Sequence, residues 1–332
     1  MKDSFIRIKL IISPAIRRAA GRLLLLTALA LTIHTCAPPD LVTDLEQDRD
    51  KEKIYTPPPP PGSNHSQIAI DLMWDQFKKR HQEFQAKGYR LTDVETYNIE
   101  NFRCYAGVWH EESDSQLVEK ADGWDEFKAM WFQMKDQGYR LTDVEVYFEN
   151  DRRKILGVWS SKETYEVRFQ VNLTWQQLVE AWKKLAKEGF LLIDLEPYAS
   201  RGTVRYVGIW KAGKDIKHRL WKASSWGEFR SKWREFGRAG YRLFDIEIFR
   251  EAGIKKYTGI WSPGEDNYRM WVEAPWENFQ VRKIQFELEG LYMVDLEVED
   301  DPHRRFSGVW RHGHSRLRED PPSYKELRTG GE

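Results

Sequence analysis

The chain has 332 residues, 41% hydrophobic, 14% aromatic and 31% charged, a composition of soluble globular type. Its 52 basic and 52 acidic residues balance, which speaks against an electrostatic nucleic-acid binder, normally marked by a basic excess. Two cysteines, Cys36 and Cys104, are too few for a disulfide framework.

Residues 1-36 differ in kind from the rest. Lys2, Arg7, Lys9, Arg17, Arg18 and Arg22 stand against the single acidic Asp3, and an apolar run follows from Leu23 to Ile33. That run is shorter than the roughly 20 residues of a membrane-spanning helix and has signal-peptide length. It ends in Ile33-His34-Thr35-Cys36, which resembles a bacterial lipobox, with His34 and Thr35 where small residues are usual. The reading is a signal peptide whose Cys36 carries lipid and anchors the protein to a membrane of the bacterial cell envelope. Simple secretion is the alternative. Residues 37-65 hold the mixed-charge stretch Asp40 to Lys53 and five consecutive prolines, Pro57 to Pro61. Such a segment buries too little apolar surface to fold and predicts an extended, semi-rigid tether.

From residue 66 onward the chain is periodic. Tryptophan recurs at 74, 124, 175, 226 and 276, glycine at 88, 138, 189, 240 and 290, and a Gly-Val/Ile-Trp triplet ends at 109, 159, 210, 261 and 310. Each landmark returns every 49 to 51 residues, which identifies five tandem repeats. Between the first tryptophan and the glycine the spacing is helical, with Trp226, Phe229, Trp233 and Phe236 on one face. Thr174 with Gln177 and Ser225 with Glu228 are capping-box pairs, and the glycine suits a left-handed residue after the helix end.

The glycine opens a strand, Gly88-Tyr-Arg-Leu-Thr-Asp-Val-Glu95, which is repeated at 138–145. A polar turn and the strand ending in Gly-Val/Ile-Trp complete a hairpin. A third strand precedes each next helix, as at 165–171 and 268–272. The fold class is therefore an α+β tandem repeat of one helix plus about three antiparallel strands, stacked as an open arc or a closed ring. Divided at the helices, the repeats span 66-122, 123-173, 174-224, 225-274 and 275-332. The leading strand 67–72 and a helix start at Ser323 to Glu326, with Tyr324 near the tryptophan position, then serve as terminal caps.

The Gly-Tyr-Arg-Leu-Thr-Asp-Val-Glu and Gly-Val-Trp motifs together resemble a family of bacterial tandem repeats found beside the serine-hydrolase domain of polyglycine hydrolases. The resemblance covers residues 66 to about 324 and implies an extracellular or envelope location. Activity in those relatives belongs to a separate β-lactamase-like domain. No serine here begins a Ser-x-x-Lys nucleophile motif, so the resemblance carries no hydrolase activity to this chain.

The candidate site is a carboxylate pair present in every repeat: Asp93 and Glu95, Asp143 and Glu145, Asp194 and Glu196, Asp245 and Glu247, Asp295 and Glu297. On a strand this i, i+2 spacing sends both side chains to one face. One reading is a row of ligand-facing carboxylates for calcium, a cationic group or a sugar. The other, which the sequence favours, pairs them across the hairpin with Arg103, Arg153, Arg205, Lys256 and Arg305. The landmark tryptophans are expected in the core, while Trp221 and Trp271 are the candidates for an exposed aromatic surface. Cys104 reads as a small apolar strand residue, and His312-Gly-His314 as a solvated loop. No catalytic motif, metal-ligand spacing or cofactor fingerprint is found. The sequence thus points to a non-enzymatic, envelope-tethered module that binds or scaffolds a protein, peptide or glycan. An accessory or remnant of a secreted serine hydrolase is the alternative.

Overall fold

The computed structural model describes residues 66–213, 217–299 and 303–312. The expectations for Cys36, the 37-65 tether, His314 and the helix start at Ser323 lie outside the described residues. Strand, helix and hairpin follow one another five times. The first repeat comprises β1 (Ser66–Leu72), α1 (Trp74–Ala86), β2 (Tyr89–Ile99) and β3 (Phe102–Glu111). The second comprises β4 (Gln116–Asp122), α2 (Trp124–Asp136), β5 (Arg140–Glu149) and β6 (Arg152–Ser160). The third comprises β7 (Val167–Leu173), α3 (Trp175–Lys187), β8 (Phe190–Ser200) and β9 (Thr203–Ala212). The fourth comprises β10 (Arg219–Ala223), α4 (Trp226–Arg238), β11 (Tyr241–Glu251) and β12 (Ile254–Pro263). The fifth comprises β13 (Tyr268–Ala274), α5 (Trp276–Leu288), β14 (Leu291–Glu299) and β15 (Arg305–His312).

Each repeat owns one three-stranded antiparallel sheet, ordered β1-β3-β2 in the first and likewise in the others. The strand before a helix therefore pairs within the hairpin that comes after that helix. This moves the repeat boundary one strand earlier than a helix-first division: β4 pairs with β6 of the second repeat, not with the first. It also makes the leading strand, β1, an integral strand of the first sheet rather than a cap.

The helices start at the first landmark tryptophan and run 13 residues. Thr174 and Gln177 form the reciprocal cap: Gln177 N donates to Thr174 Oγ1 at 3.2 Å, and Thr174 N donates to Gln177 Oε1 at 2.9 Å. In α4 the second half differs, since Glu228 accepts from Ser224 N instead of from the cap residue. Gly189 ends α3 with φ +81°, a conformation that costs glycine little and strains a residue with a Cβ. The third landmark, the Gly-Val/Ile-Trp triplet, is governed by contact. Trp210 folds back over Gly208, where a Cβ would lie 2.5 Å from the indole. The five tryptophans of these triplets are fully buried, whereas those opening the helices are half-buried.

Cores are shared between neighbouring repeats. Phe77, Leu91, Val94 and Trp109 of the first repeat pack with Tyr147, Leu156 and Val158 of the second. Phe127, Leu141 and Trp159 of the second pack with Ile193, Tyr198 and Ile209 of the third. Phe279, Met293 and Trp310 of the fifth pack with Tyr97, Cys104, Ala106 and Val108 of the first. In a Gly-Val-Trp triplet, glycine and tryptophan thus face their own helix, and valine faces the preceding repeat. Units of about 50 residues bury too little surface alone, so each is stabilised by its neighbour. The inner strands β2, β5, β8, β11 and β14 contact one another in sequence, and β14 contacts β2. The repeats therefore close into a ring. Further bonds span the junction of last and first repeats: Lys283 Nζ donates to Ser66 O at 3.2 Å, His110 Nε2 meets Met293 O, and Arg304 pairs with Asp71.

Candidate functional site

The carboxylate pairs sit on the inner strands, and a repeated irregularity aims them. Leu91 pairs with Trp109, but Asp93 pairs with Val108, so Thr92 is an extra residue. The same bulge recurs before Asp143, Asp194, Asp245 and Asp295. A bulge adds one residue and re-aims the side chains beyond it. It leaves Leu91 and Val94 in the core of their own repeat. Asp93 and Glu95 take the opposite face, across from Val108 and Ala106.

The inner strand is an edge strand, paired on one side only, and an edge strand presents a row of unpaired amides. The aspartates of the neighbouring repeat meet these amides. Val94 N donates to Asp143 Oδ2 at 3.0 Å, and Ile246 N to Asp295 Oδ2 at 3.2 Å. Leu296 N of the last repeat donates to Asp93 Oδ2 of the first at 2.8 Å. The glutamates form a second tier. Val146 N donates to Glu196 Oε1 at 3.3 Å, Ile248 N to Glu297 Oε2 at 3.2 Å, and Thr96 Oγ1 to Glu145 Oε2 at 3.2 Å. The five aspartates are at most 3% exposed; four of the glutamates are buried and Glu95 is partly exposed.

This geometry corrects the cross-strand salt-bridge expectation. The hairpin register places Arg103 opposite Asn98, Arg153 opposite Phe148, Arg205 opposite Tyr198 and Lys256 opposite Phe249. Only Arg305 faces an acid, and that acid is Glu299 rather than a member of the pair. The basic side chains lie several residues beyond the carboxylates along the hairpin. Arg103 stands over the Tyr147 ring at 4.5 Å, and Lys256 Nζ donates to Ser224 Oγ at 3.2 Å.

With no counter-ion beside them among the described residues, the glutamates hold their protons tightly. Burial pushes Glu95, Glu145, Glu196, Glu247 and Glu297 well above the ordinary carboxylate range. Neighbouring carboxylates add to the effect: Glu297 and Glu145 act on Glu95, Asp143 and Asp93 on Glu145, and Glu297 and Glu196 on Glu247. The five repeats thus bring their glutamates within electrostatic reach of one another. Chemically the arrangement is a clasp that accepts amide protons and stores acidic ones. Among the described residues, no group of three or more His, Cys, Asp or Glu side chains is arranged to hold a metal ion.

The sequence reading missed an ion-pair hub. Arg90, 2% exposed, reaches Glu163 of the second repeat at 2.6 Å, Asp114 at 3.4 Å and Glu112 at 3.8 Å. Its partners are scattered through turns, so no spacing marks them. Trp221 and Trp271 are half-buried, covered by Lys232 at 4.6 Å and Arg282 at 4.4 Å, rather than displayed to solvent. Cys104 is a buried free thiol in the core between the last and first repeats.

A model of the polyglycine hydrolase-like structural repeat matches residues 64–112, 123–161, 166–212 and 224–263, together more than half of the chain. The chain belongs to this family. The first and third matched spans begin at the strand before the helix, the same phase that the sheets define. The fifth polyglycine hydrolase-like repeat lies beyond the matched spans, yet it has the same elements and the same bulge and completes the ring. The family matched is a structural repeat, with no catalytic domain among the matches. No curated protein matches the chain.

Proposed function

We propose that the chain is a rigid binding or scaffolding module, held at a bacterial cell envelope through Cys36 and presented beyond a proline-rich tether. One observation carries the reading: the repeated features face inward, and the variable ones face outward. The inner carboxylates, bulges and Gly-x-Trp contacts recur in all five units. The outward helix position held by Lys79, Ala129, Glu180, Ser231 and Val281 is exposed in every repeat and carries a different residue each time. A framework fixed inside and free to vary outside suits recognition of a protein, peptide or glycan by several weak contacts.

A second reading, an accessory to a secreted serine hydrolase, is favoured by the polyglycine hydrolase-like family match. Offering residues 66–332 to solubilised envelope proteins and to wall glycan distinguishes the two. Capture of a hydrolase favours the accessory role, capture of another protein or glycan favours the scaffold, and no retention by any fraction contradicts both. Tethering has its own test. Replacing Cys36→Ser is expected to move the protein from the membrane fraction to the soluble fraction, and a variant that stays with the membrane contradicts the anchor.

A further inference from the structure

One inward position of the helices breaks the repeat pattern. Seven residues after the landmark tryptophan stand Trp131, Trp182, Trp233 and Lys283 in α2 to α5, but His81 in α1. His81 is 4% exposed, and Nε1 of the fully buried Trp109 donates to its Nδ1 at 3.3 Å. An indole N–H can only donate, so Nδ1 is the bare nitrogen and the ring is neutral, with its proton on Nε2. The equivalent indoles of Trp159, Trp210, Trp261 and Trp310 have no acceptor among the described residues. The contact is therefore peculiar to the first repeat and not a demand of the fold.

We propose that His81 makes the first repeat the acid-sensitive unit of the ring. A proton taken from solvent at Nδ1 occupies the lone pair that holds the Trp109 N–H. Two N–H groups then meet head-on, and a cation lies in the core under α1, where burying a charge is costly. The surroundings do not offset this. From α1 itself Lys78 turns to the Trp74 ring, and β3 brings the Trp109 indole. The Gln116 main chain of β4 and the carboxylate of Asp114, on the segment between β3 and β4, favour the cation. Asp114 is already engaged by Arg90 of β2 at 3.4 Å and by Ser160 Oγ of β6 at 2.6 Å. Burial outweighs both and holds the His81 pKa below its ordinary value. Neutral His81 thus contributes stability that is complete above the unfolded histidine value and is lost as pH falls through the folded one. His110 and His218, by contrast, meet the carbonyls of Met293 and Leu192, a contact that a protonated imidazole keeps. The device is independent of any bound partner.

The test is hydrogen exchange of the five helices in the full chain, expressed as protection factors, at about pH 7.5 and about pH 5. The expected result is that α1 loses protection on the order of ten-fold more than α2 to α5 at the lower pH. His81→Gln, which offers an uncharged amide oxygen to the indole, is expected to abolish the difference. A loss shared equally by all five helices overturns the inference, as does a selective loss in α1 that persists in His81→Gln. The Trp109 indole resonance gives a reading that needs no variant at His81. Its N–H line is expected to move with a midpoint below the ordinary histidine value, and a line that stays in place from about pH 7.5 to about pH 4 overturns the inference as well.

Discussion

At the scale of single residues, the central observation is a carboxylate accepting a main-chain hydrogen bond from the preceding repeat. Asp295 is fully buried and accepts from Ile246 N at 3.2 Å. Asp295→Ala leaves that amide without its acceptor, and a lost charged hydrogen bond costs about 1.5–3 kcal/mol. A lower melting temperature in Asp295→Ala, with Asp295→Asn falling between it and the parent, is expected in thermal unfolding. An unchanged melting temperature contradicts the role. The glutamate tier behaves oppositely. Its protons are held more tightly in the folded state than in the unfolded state. Its contribution to stability is therefore complete below the unfolded carboxylate range and is lost as pH rises through the folded values. Glu297→Gln keeps an acceptor for Ile248 N and removes a charge. It is expected to leave the melting temperature unchanged near pH 4 and to raise it at pH 8. A uniform loss at both pH values contradicts the shared-repulsion account.

At the scale of elements, two glycines test how packing shapes the repeat. Gly208→Ala drives a Cβ to 2.5 Å from the Trp210 ring and 3.1 Å from Leu192. Overpacking of this kind costs about 1–3 kcal/mol, read as a lower midpoint in denaturant. Gly227, inside α4, meets nothing within 4 Å. Gly227→Ala is expected to be neutral or to stabilise by up to about 1 kcal/mol, the helix-propensity difference. Much of the element pattern is legible in the sequence, because tryptophan spacing, capping pairs and left-handed glycines act locally. Thr174 with Gln177 forms the expected cap, and Gly189 takes the expected positive φ. Strand partnership is less local. Whether β4 pairs forward or backward depends on sheet order, which hydrophobic spacing does not encode, and only the pairing with β6 decides it.

The same limit explains the carboxylates. Their i, i+2 spacing correctly places them on one face of an inner strand, but their partners are backbone amides of another repeat. An amide has no letter in the sequence. The visible basic residues, Arg103 and its equivalents, lie at the other end of the hairpin, since the turn at 100–101 sets an unbroken register from Ile99–Phe102 to Asp93–Val108.

At the scale of the whole molecule, 203 residues separate Leu296 from Asp93, and their 2.8 Å hydrogen bond joins the end of the array to its beginning. An open arc of the same repeats keeps the bonds from Val94 to Asp143 and from Ile246 to Asp295 and lacks this one. Closure removes the two exposed terminal faces that an open array has to cap, and the core of Phe279, Met293 and Trp310 is completed by Ala106 and Val108. The most direct test is amide hydrogen exchange at Leu296, compared with Val94 and Ile246, in the parent protein and in Asp93→Ala. The closed ring predicts that Leu296 is protected to the same degree as the other two, and that Asp93→Ala speeds exchange at Leu296 selectively. Fast exchange at Leu296 in the parent protein, unchanged by Asp93→Ala while Val94 and Ile246 stay protected, contradicts closure.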